Sequence, residues 1–326
     1  FNQLYWKPLR PVSFTVRPQI HKWRNMKNKP KPFLKWAGGK TQLLNDIESK
    51  FPYKKNDNFS YVEPFVGSGA VLFWVLNNFP NIKTAIINDI NEDLISSYET
   101  IKTNVLDLIA VLRQYENDYH AISENIEDKK EYYYKKRKLF NTRASEQIIQ
   151  TALFIFLNKT CFNGLYRVNR KNEYNVPIGS YKKPMISDES NLSAIHKSLQ
   201  NVEILSGDFE QTISYANEDT VFYFDPPYKP LSETSSFNSY AKSEFNDNEQ
   251  IRLKEFCDKI DSLGCKLILS NSDVKGKNPN DNFFDDLFSV YQIDRVMAKR
   301  SINANPNKRG QLTELLISNQ GVCNAI

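Results

Sequence analysis

Short apolar runs alternate with segments of helical periodicity along most of the chain from residue 33 onward. Six of these runs have the length of buried strands: 61–66, 84–87, 202–205, 221–224, 266–270 and 314–318. Three segments have apolar residues at helical spacing: 43–51, 70–76 and 94–112. The order of strand, glycine-bearing loop, helix and strand predicts an α/β fold with a doubly wound, Rossmann-like sheet.

This alternation is interrupted between residues 99 and 190. The interrupting segment is helical in pattern and rich in Tyr, Lys and Asn, and from residue 158 it has the composition of a loop. The simplest organisation is one α/β domain, residues 32–98 and 191–326, with a helical module inserted at 99–190.

Positive charge is concentrated at the start of the chain. The net charge is +5, yet residues 1–31 carry eight Lys or Arg and no acidic residue. Such a segment fits a nucleic-acid arm, a targeting peptide, or upstream sequence outside the functional protein with Met26 as the true start. Prolines disfavour the amphipathic helix of a targeting peptide. We favour the third interpretation and expect residues 1–31 to be a non-native or disordered extension.

Composition excludes several classes of protein. A hydrophobic content of 40% is enough for a core, and no run of about 18 apolar residues could span a bilayer. The four cysteines contain no Cys-x-x-Cys pair, and the three histidines have no zinc-ligand spacing. We therefore expect a protein without a membrane span and without a metal.

The clearest chemical signal is Asp225-Pro226-Pro227-Tyr228, directly after the strand predicted at 221–224. An acid at the carboxyl end of a strand lies at the usual ligand crevice of an α/β sheet. Tyr228 offers a flat face to a planar base. Asp225 and the Pro226 carbonyl can accept both hydrogens of an exocyclic amine, which would free its lone pair to attack a methyl group. The alternative is a proline-rich turn without function.

A glycine turn and an acid indicate a nucleoside-type cofactor. Gly67 and Gly69 would let the backbone approach a ligand closely. Asp89 follows the next predicted strand, where an acid hydrogen-bonds ribose hydroxyls in nucleoside-binding folds. A tight turn and a surface aspartate would have the same sequence, so these residues alone do not name the cofactor.

Taken together, the motifs resemble those of DNA adenine-N6 methyltransferases of the Dam type. Residues 225–228 resemble the Asp-Pro-Pro-Tyr motif of amino-group DNA methyltransferases, and residues 33–40 resemble the family's opening signature. The similarity continues through four further segments: 63–69, 163–169, 175–181 and 269–271. The order of the motifs is that of the family's α group.

The resemblance implies S-adenosylmethionine as methyl donor, no metal, and N6 of adenine in duplex DNA as acceptor, reached by base flipping. The implied cofactor-binding residues are Trp36, Lys40, Phe65, Gly67, Gly69, Asp89, Asp208, Phe209 and Asp225. Lys40 would contact the methionine carboxylate, Asp89 the ribose and Asp208 the adenine. Direct transfer is expected, because a ring-carbon target would need a nucleophile such as a Pro-Cys pair, and no cysteine follows a proline.

Residues 158–183 form the expected DNA-recognition segment. Six cations and interleaved aromatic residues accompany a single acid there, although a solvated surface loop could have this composition. The resemblance matches Arg167 to the residue that reads the first guanine of GATC, and Phe162 to the wedge that enters the base stack. The remaining predicted DNA-binding residues are Asn163, Leu165, Asn169, Pro177 and Tyr181. Ser180 departs from several relatives, which carry Arg at that position.

The sequence therefore predicts an enzyme that methylates adenine N6 in duplex DNA at GATC, as the modification enzyme of a restriction-modification system. An RNA adenine methyltransferase and a non-catalytic DNA-binding regulator remain alternatives. A protein-glutamine methyltransferase would favour Asn in place of Asp225, and a dehydrogenase would need a third fingerprint glycine. We expect a cytoplasmic, nucleoid-associated bacterial monomer with a cognate endonuclease as functional rather than stable partner.

Overall fold

The structure is a computed structural model that describes residues 28–36, 38–122, 125–229, 245–299 and 311–319. Most of the basic segment at 1–31 therefore lies outside the described residues. The described strands are β1 Phe59–Glu63, β2 Ile82–Asp89, β3 Val202–Ser206, β4 Thr220–Phe224, β5 Lys266–Ser272, β6 Gln292–Lys299 and β7 Gln311–Ser318. The described α-helices are α1 Leu44–Lys50, α2 Ala70–Asn78, α3 Glu92–Ala121, α4 Ile126–Thr142, α5 Gln147–Thr160, α6 Glu189–Leu199, α7 Asp247–Ser262 and α8 Phe283–Leu287.

These strands form one sheet with the order β3-β2-β1-β4-β5-β7-β6. The pairs from β3 to β5 are parallel, whereas β7 is antiparallel to both β5 and β6. The strand order reverses between β1 and β4, and ligands of doubly wound sheets bind at such a reversal. The predicted α/β fold with a doubly wound sheet is confirmed.

Side chains on the two faces of the sheet enter two separate hydrophobic clusters. Tyr61 and Tyr223 belong to the cluster that also contains residues of α2, α3 and α5. Val62 and Phe224, their next neighbours along the strands, belong to the cluster that contains residues of α7 and α8. Because successive side chains point to opposite faces and both faces are covered, the central strands are continuous apolar runs.

The sequence pattern predicts six of the seven strands and does not predict β6. Polar and apolar residues are mixed in Gln292–Lys299, and among the described strands this one lies at the edge of the sheet and pairs only with β7. An edge strand does not need the continuous apolar run that identifies a buried parallel strand.

Helix α3 joins the sheet to the helices that follow it. It contacts β2 and β3, and it also packs on α5 and α6. Residue 99, where we expect the inserted module to begin, lies inside this helix. The division of the chain into an α/β domain and an inserted module stays a proposal.

The turn after β1 depends on glycine at position 69. Gly69 has a φ of 75° and is the N-terminal cap of α2. A Cβ atom there would lie 2.6 Å from the Tyr98 hydroxyl oxygen and 3.0 Å from Phe73 Cε2. Both the backbone conformation and the buried neighbours therefore disfavour any side chain.

We expect Gly69→Ala to lower the free energy of unfolding by about 1–3 kcal/mol, because a left-handed conformation is costly for alanine and buried atoms must shift. Urea denaturation measures this change. Gly39→Ala is the control, because Gly39 has a φ of −54° and its added Cβ would lie 3.5 Å from the nearest atom, the Trp36 carbonyl oxygen. Equal losses in the two variants would contradict an additional cost at Gly69 from its left-handed backbone and close neighbours.

Candidate functional site

A cavity of about 890 Å³ is lined by residues that end or follow four parallel strands. Glu63 ends β1, Asp89 ends β2, Asp208 follows β3 and Asp225 follows β4. The carboxyl ends of parallel strands lie at one edge of a sheet, and here they surround the reversal of strand order. The topology thus brings together acids that are far apart in the sequence.

Most residues that the sequence analysis assigns to catalysis and cofactor binding line this cavity. They are Trp36, Lys40, Phe65, Gly67, Asp89, Asp208, Phe209, Asp225, Pro226, Pro227 and Tyr228. Gly69 is the exception, because it lies behind the turn as the cap of α2.

Lys40 and Asp225 form an ion pair inside the cavity. The Lys40 Nζ atom lies 2.8 Å from Asp225 Oδ1, and the Lys40 side chain is only 4% exposed. The same ammonium donates to the Gly38 carbonyl at 2.7 Å, and Ser270 Oγ donates to Asp225 Oδ1 at 3.1 Å. No hydrogen bond from the described part of the chain reaches Asp225 Oδ2.

This ion pair opposes the effect of burial on the Asp225 carboxyl group. Burial raises the pKa of Asp225 above its ordinary value, and the negative charge of Glu314 adds to the rise. The ammonium of Lys40 lowers the pKa again through its charge and its hydrogen bond. Lys40 is therefore the group that favours the ionised form of Asp225.

The loop that carries Asp225 is held from two sides. Gln250 Nε2 donates to the Pro227 carbonyl at 3.1 Å, and Asn271 Nδ2 donates to Gln250 Oε1 at 3.0 Å. The Tyr228 hydroxyl donates to Glu314 Oε2 at 2.7 Å. These bonds fix the loop to α7, β5 and β7.

Asp89 is bonded to the glycine turn. Its Oδ2 atom accepts from the Gly67 amide at 3.1 Å, and its Oδ1 atom accepts from the Asn91 amide at 2.9 Å. Burial raises the pKa of Asp89 to about 6, although these backbone amides lower it. The two features that indicate a nucleoside cofactor in the sequence are thus in direct contact.

Aromatic rings form one end of the cavity. The Phe65 ring centroid lies 5.3 Å from that of Phe209 and 5.7 Å from that of Phe245. Arg252 lies 4.4 Å above the Phe209 ring and donates to both carboxylate oxygens of Asp208, at 3.1 and 2.7 Å. Partial burial raises the pKa of Asp208, but hydrogen bonds from Arg252 and a backbone amide bring it below its ordinary value.

Acidic groups outnumber cations among the described lining residues. The acids are Glu63, Asp89, Asp208, Asp225 and Glu249, and the cations are Lys40 and Arg252. Burial raises the pKa of Glu63 well above its ordinary value, even though the Tyr61 hydroxyl donates to it at 2.7 Å. Without Glu63, four acids still face two cations, so the cavity favours a positively charged ligand.

The predicted DNA-binding residues lie outside the cavity, on an irregular hairpin formed by residues 161–181, which we call the recognition hairpin. Bridges between Cys161 and Ile178 and between Val168 and Tyr174 define it. The seven predicted residues that it carries are Phe162, Asn163, Leu165, Arg167, Asn169, Pro177 and Tyr181. The structure thus brings these residues together on one element.

Phe162 and Pro177 lie side by side at one end of the recognition hairpin. The Phe162 amide donates to the Pro177 carbonyl at 2.8 Å. The Phe162 ring is 48% exposed, and the next residue, Asn163, has a φ of 55°. An exposed phenylalanine on a tight turn is accessible to a partner.

Arg167 is oriented by a neighbour across the hairpin. Its Nε atom donates to Asn175 Oδ1 at 2.6 Å, which leaves the terminal nitrogens of the guanidinium out of this bond. Asn169 has a different position, because its Oδ1 atom accepts from the amides of Lys171 and Glu173 and closes the hairpin turn.

Several residues of the site are not identified by the sequence analysis. Ser270 lies within β5, in the quoted segment 269–271, so its position is a usable signal. Glu314 is an acid within an apolar strand, which is a second signal. Arg252 gives no signal, because a helical arginine is ordinary in any soluble fold.

Among the described residues, none of the helices combines the length and the apolar character of a membrane span. No group of three His, Cys, Asp or Glu side chains in those residues could hold a metal ion.

Comparisons with known proteins agree on one family. A family model described as D12 class N6 adenine-specific DNA methyltransferase matches residues 36–302. The chain is 50% identical over 294 residues to the type II methyltransferase M.MjaIII of Methanocaldococcus jannaschii, which covers 89% of this chain and 99% of that protein. It is 36% identical to the type II methyltransferase M1.LlaDCHI of Lactococcus lactis subsp. cremoris, over 89% of this chain and 96% of that protein. It is 37% identical to a DNA adenine methylase of Haemophilus influenzae, over 94% of this chain and 97% of that protein.

Proposed function

Because the chain belongs to the family of D12 class N6 adenine-specific DNA methyltransferases, we propose that it methylates N6 of adenine at GATC in duplex DNA. The observation that carries this proposal is the buried Asp225 carboxyl group at the switch point of the sheet, paired at 2.8 Å with Lys40, whose charge favours the ionised form. A carboxylate in that state can accept hydrogen bonds from an amine.

The cavity fits S-adenosylmethionine, which supplies the methyl group. Its volume of about 890 Å³ leaves room for a base beside a nucleoside cofactor. Lys40 has three ammonium hydrogens, so one remains for a methionine carboxylate after its bonds to Asp225 and Gly38. Asp89 would hold the ribose, and the acid-rich walls suit the positive charge of the sulfonium group.

Asp208 would contact the adenine of the cofactor only with its remaining lone pairs, because Arg252 already occupies both of its oxygens. Phe65 and Phe209 would pack against that adenine ring. Arg252 would then fix the direction in which Asp208 accepts a hydrogen bond.

The target adenine would leave the duplex and place its amine between Asp225 Oδ2 and the Pro226 carbonyl. Neither oxygen accepts a hydrogen bond from the described part of the chain, so both can accept from the amine. Bonds to these acceptors would turn the nitrogen lone pair toward the methyl group, and Pro227 and Tyr228 would keep the loop in place. No covalent intermediate is needed.

The recognition hairpin would read the sequence around the target. The terminal nitrogens of Arg167 can fork onto O6 and N7 of the first guanine while Asn175 holds Nε. Exposed Phe162 would fill the space that the flipped base leaves. Leu165, Pro177 and Tyr181 would contact the other bases, and Asn163 and Asn169 would support the hairpin on the DNA.

Two relatives are named type II methyltransferases, and this supports a role as the modification enzyme of a restriction-modification system. The cognate endonuclease would then be a functional partner that acts on the same site. We propose that the enzyme acts as a monomer, with residues 99–190 as its DNA-recognition module.

The first test is transfer of tritiated methyl groups from S-adenosylmethionine to duplexes that contain GATC or a scrambled site, with nucleoside analysis of the product. We expect N6-methyladenine only in the GATC duplex. Asp225→Ala is expected to abolish transfer and to leave duplex binding largely intact, since this carboxylate acts on the amine. Methylation of the scrambled duplex would contradict GATC specificity, and transfer to RNA alone would contradict the choice of DNA.

Arg167→Ala is expected to reduce discrimination at the first base of the site by about 1–3 kcal/mol, because a bidentate contact to guanine is lost. Competition binding with duplexes substituted at that base measures the change. Asn175→Ala should act in the same direction but more weakly, since it only frees the guanidinium to rotate. Arg170→Ala, an exposed neighbour, serves as control and should weaken binding to all sequences alike. Unchanged preference in Arg167→Ala would mean that guanine is read elsewhere.

The Lys40–Asp225 pair predicts how the rate depends on pH. Asp225 must be ionised to accept from the amine, so the rate at saturating S-adenosylmethionine falls as the pH falls through the pKa of Asp225. Lys40→Gln removes the charge that lowers this pKa, and the acidic limb of the profile should move to higher pH.

The matched control is Lys50→Gln. It removes a Lys–Asp ion pair of the same length, 2.8 Å, between Lys50 at the end of α1 and Asp294 of β6. Its acidic limb should stay in place. An acidic limb that does not move in Lys40→Gln would show that Lys40 has no part in the ionisation of Asp225.

A further inference from the structure

The side-chain amide of Asn158 joins two separate parts of the molecule. Asn158 lies near the end of α5 and is fully buried. Its Oδ1 atom accepts from the Lys35 amide at 2.9 Å, and its Nδ2 atom donates to the Lys35 carbonyl at 2.8 Å and to the Gly164 carbonyl at 2.9 Å. One buried amide thus fixes the backbone of residue 35 to the recognition hairpin.

Trp36, the next residue, connects the same hairpin to the cavity. Its indole lines the cavity and stacks on Tyr166, with ring centroids 5.5 Å apart and an angle of 21° between the rings. The Tyr166 hydroxyl donates to Asp93 Oδ2 at 2.9 Å, close to the loop that follows β2. Tyr166 directly precedes Arg167, so the residue that stacks on Trp36 and a proposed DNA-contacting residue are adjacent in the chain.

The side chain of Lys35 also contacts the recognition hairpin directly. Its Nζ atom donates to the Tyr181 hydroxyl at 3.0 Å and lies 4.1 Å above the Tyr181 ring. A Cβ atom on Gly164 would lie 2.4 Å from Lys35 Cδ and 2.5 Å from Lys35 Cβ. The hairpin backbone therefore packs directly on Lys35, and neither segment can move far without the other.

We propose that Asn158 is a positioning residue that couples cofactor binding to DNA binding through the segment Lys35–Trp36. The inference rests on the proposed function, because it takes the cavity as the cofactor site and the hairpin as the DNA site. Asn158 touches neither ligand. It acts by keeping Trp36 at the cavity wall in register with Gly164 and Tyr166 of the hairpin.

The physical basis of the coupling is one shared position of the segment 35–36. A cofactor packed on Trp36 would favour that position, and the bonds of Asn158 would pass it to Gly164 of the hairpin. DNA bound to the hairpin would favour the same position, so each ligand would strengthen the binding of the other. The two effects must be equal, because coupling free energies are reciprocal.

The experiment measures this coupling in the full chain. A fluorescein-labelled GATC duplex is titrated by anisotropy with and without saturating S-adenosylhomocysteine, and S-adenosylhomocysteine is titrated by calorimetry with and without the duplex. In the unmodified protein we expect about 5-fold or greater strengthening in both directions. In Asn158→Ala the factor should fall to about 2-fold or less, because the segment is no longer shared.

Asn191→Ala is the matched control. Asn191 holds the same N-terminal segment four residues earlier by the same two bonds, from the Lys31 amide at 3.0 Å and to the Lys31 carbonyl at 2.9 Å. It is similarly buried and lies on α6 rather than beside the hairpin. Its coupling factor should match that of the unmodified protein. Loss of coupling in both variants would show only a general role for this segment and would overturn the assignment to Asn158.

A second pair of variants covers the case that Asn158→Ala does not fold. Tyr166→Phe keeps the stack on Trp36 and removes the bond to Asp93, and we expect it to lower the coupling factor. Tyr291→Phe removes a comparable hydrogen bond away from the site, that of the Tyr291 hydroxyl to Asp258 at 2.8 Å. This variant should leave the coupling factor unchanged.

The outcomes separate the two proposals. If each ligand binds alone but the coupling factor is unchanged in Asn158→Ala or Tyr166→Phe, the proposed coupling role is wrong. The proposed function is then unaffected. Weaker binding of both ligands with an unchanged factor would show that Asn158 is merely structural. Failure of the unmodified protein to bind S-adenosylhomocysteine or duplex overturns the proposed function, and the coupling falls with it.

Discussion

The candidate site depends on a single buried ion pair, that between Lys40 and Asp225. Parallel strands deliver several acids to one edge of the sheet, and burial favours their protonated forms. The Lys40 ammonium lies 2.8 Å from Asp225 and opposes this effect, because its charge favours the ionised carboxylate. Because Lys40 comes from the segment before α1, that segment must be docked accurately, and the amides of Asn158 and Asn191 hold it in place.

The molecule separates two electrostatic environments that its proposed substrates require. The cavity is rich in acids, whereas residues 158–183 carry six cations and one acid. A polyanionic duplex is attracted to the hairpin and repelled by the cavity, so only an uncharged base is expected to enter. A cofactor with a positive sulfonium group is favoured inside for the same reason. Trp36 and Tyr166 form the boundary, with an aromatic face on each side.

The central strands and the acids that follow them could be predicted from the sequence, because burial on both faces produces continuous apolar runs and the ligand crevice follows from topology. Asp89 and Asp225 were identified in this way, and Gly67 by its turn. Strand β6 could not be predicted, since an edge strand needs no continuous apolar run. Three pairings also could not be predicted: Asp225 with Lys40, Asp208 with Arg252, and Lys35 with Asn158. The partners in each pair are distant in sequence and carry ordinary polar side chains.

The order of the strands has a consequence for how the chain folds. Ala85 of β2 pairs with Val202 of β3, and Ser60 of β1 pairs with Thr220 of β4, so each pairing spans more than a third of the chain. Helices α3 to α5 lie between β2 and β3 and make contacts that are more local. They can form during synthesis, while the free edge of β2 stays unpaired until β3 emerges from the ribosome and that of β1 until β4 emerges. The long segment between β2 and β3, which carries the recognition hairpin, therefore makes this sheet slow to close and exposes it to aggregation until it does.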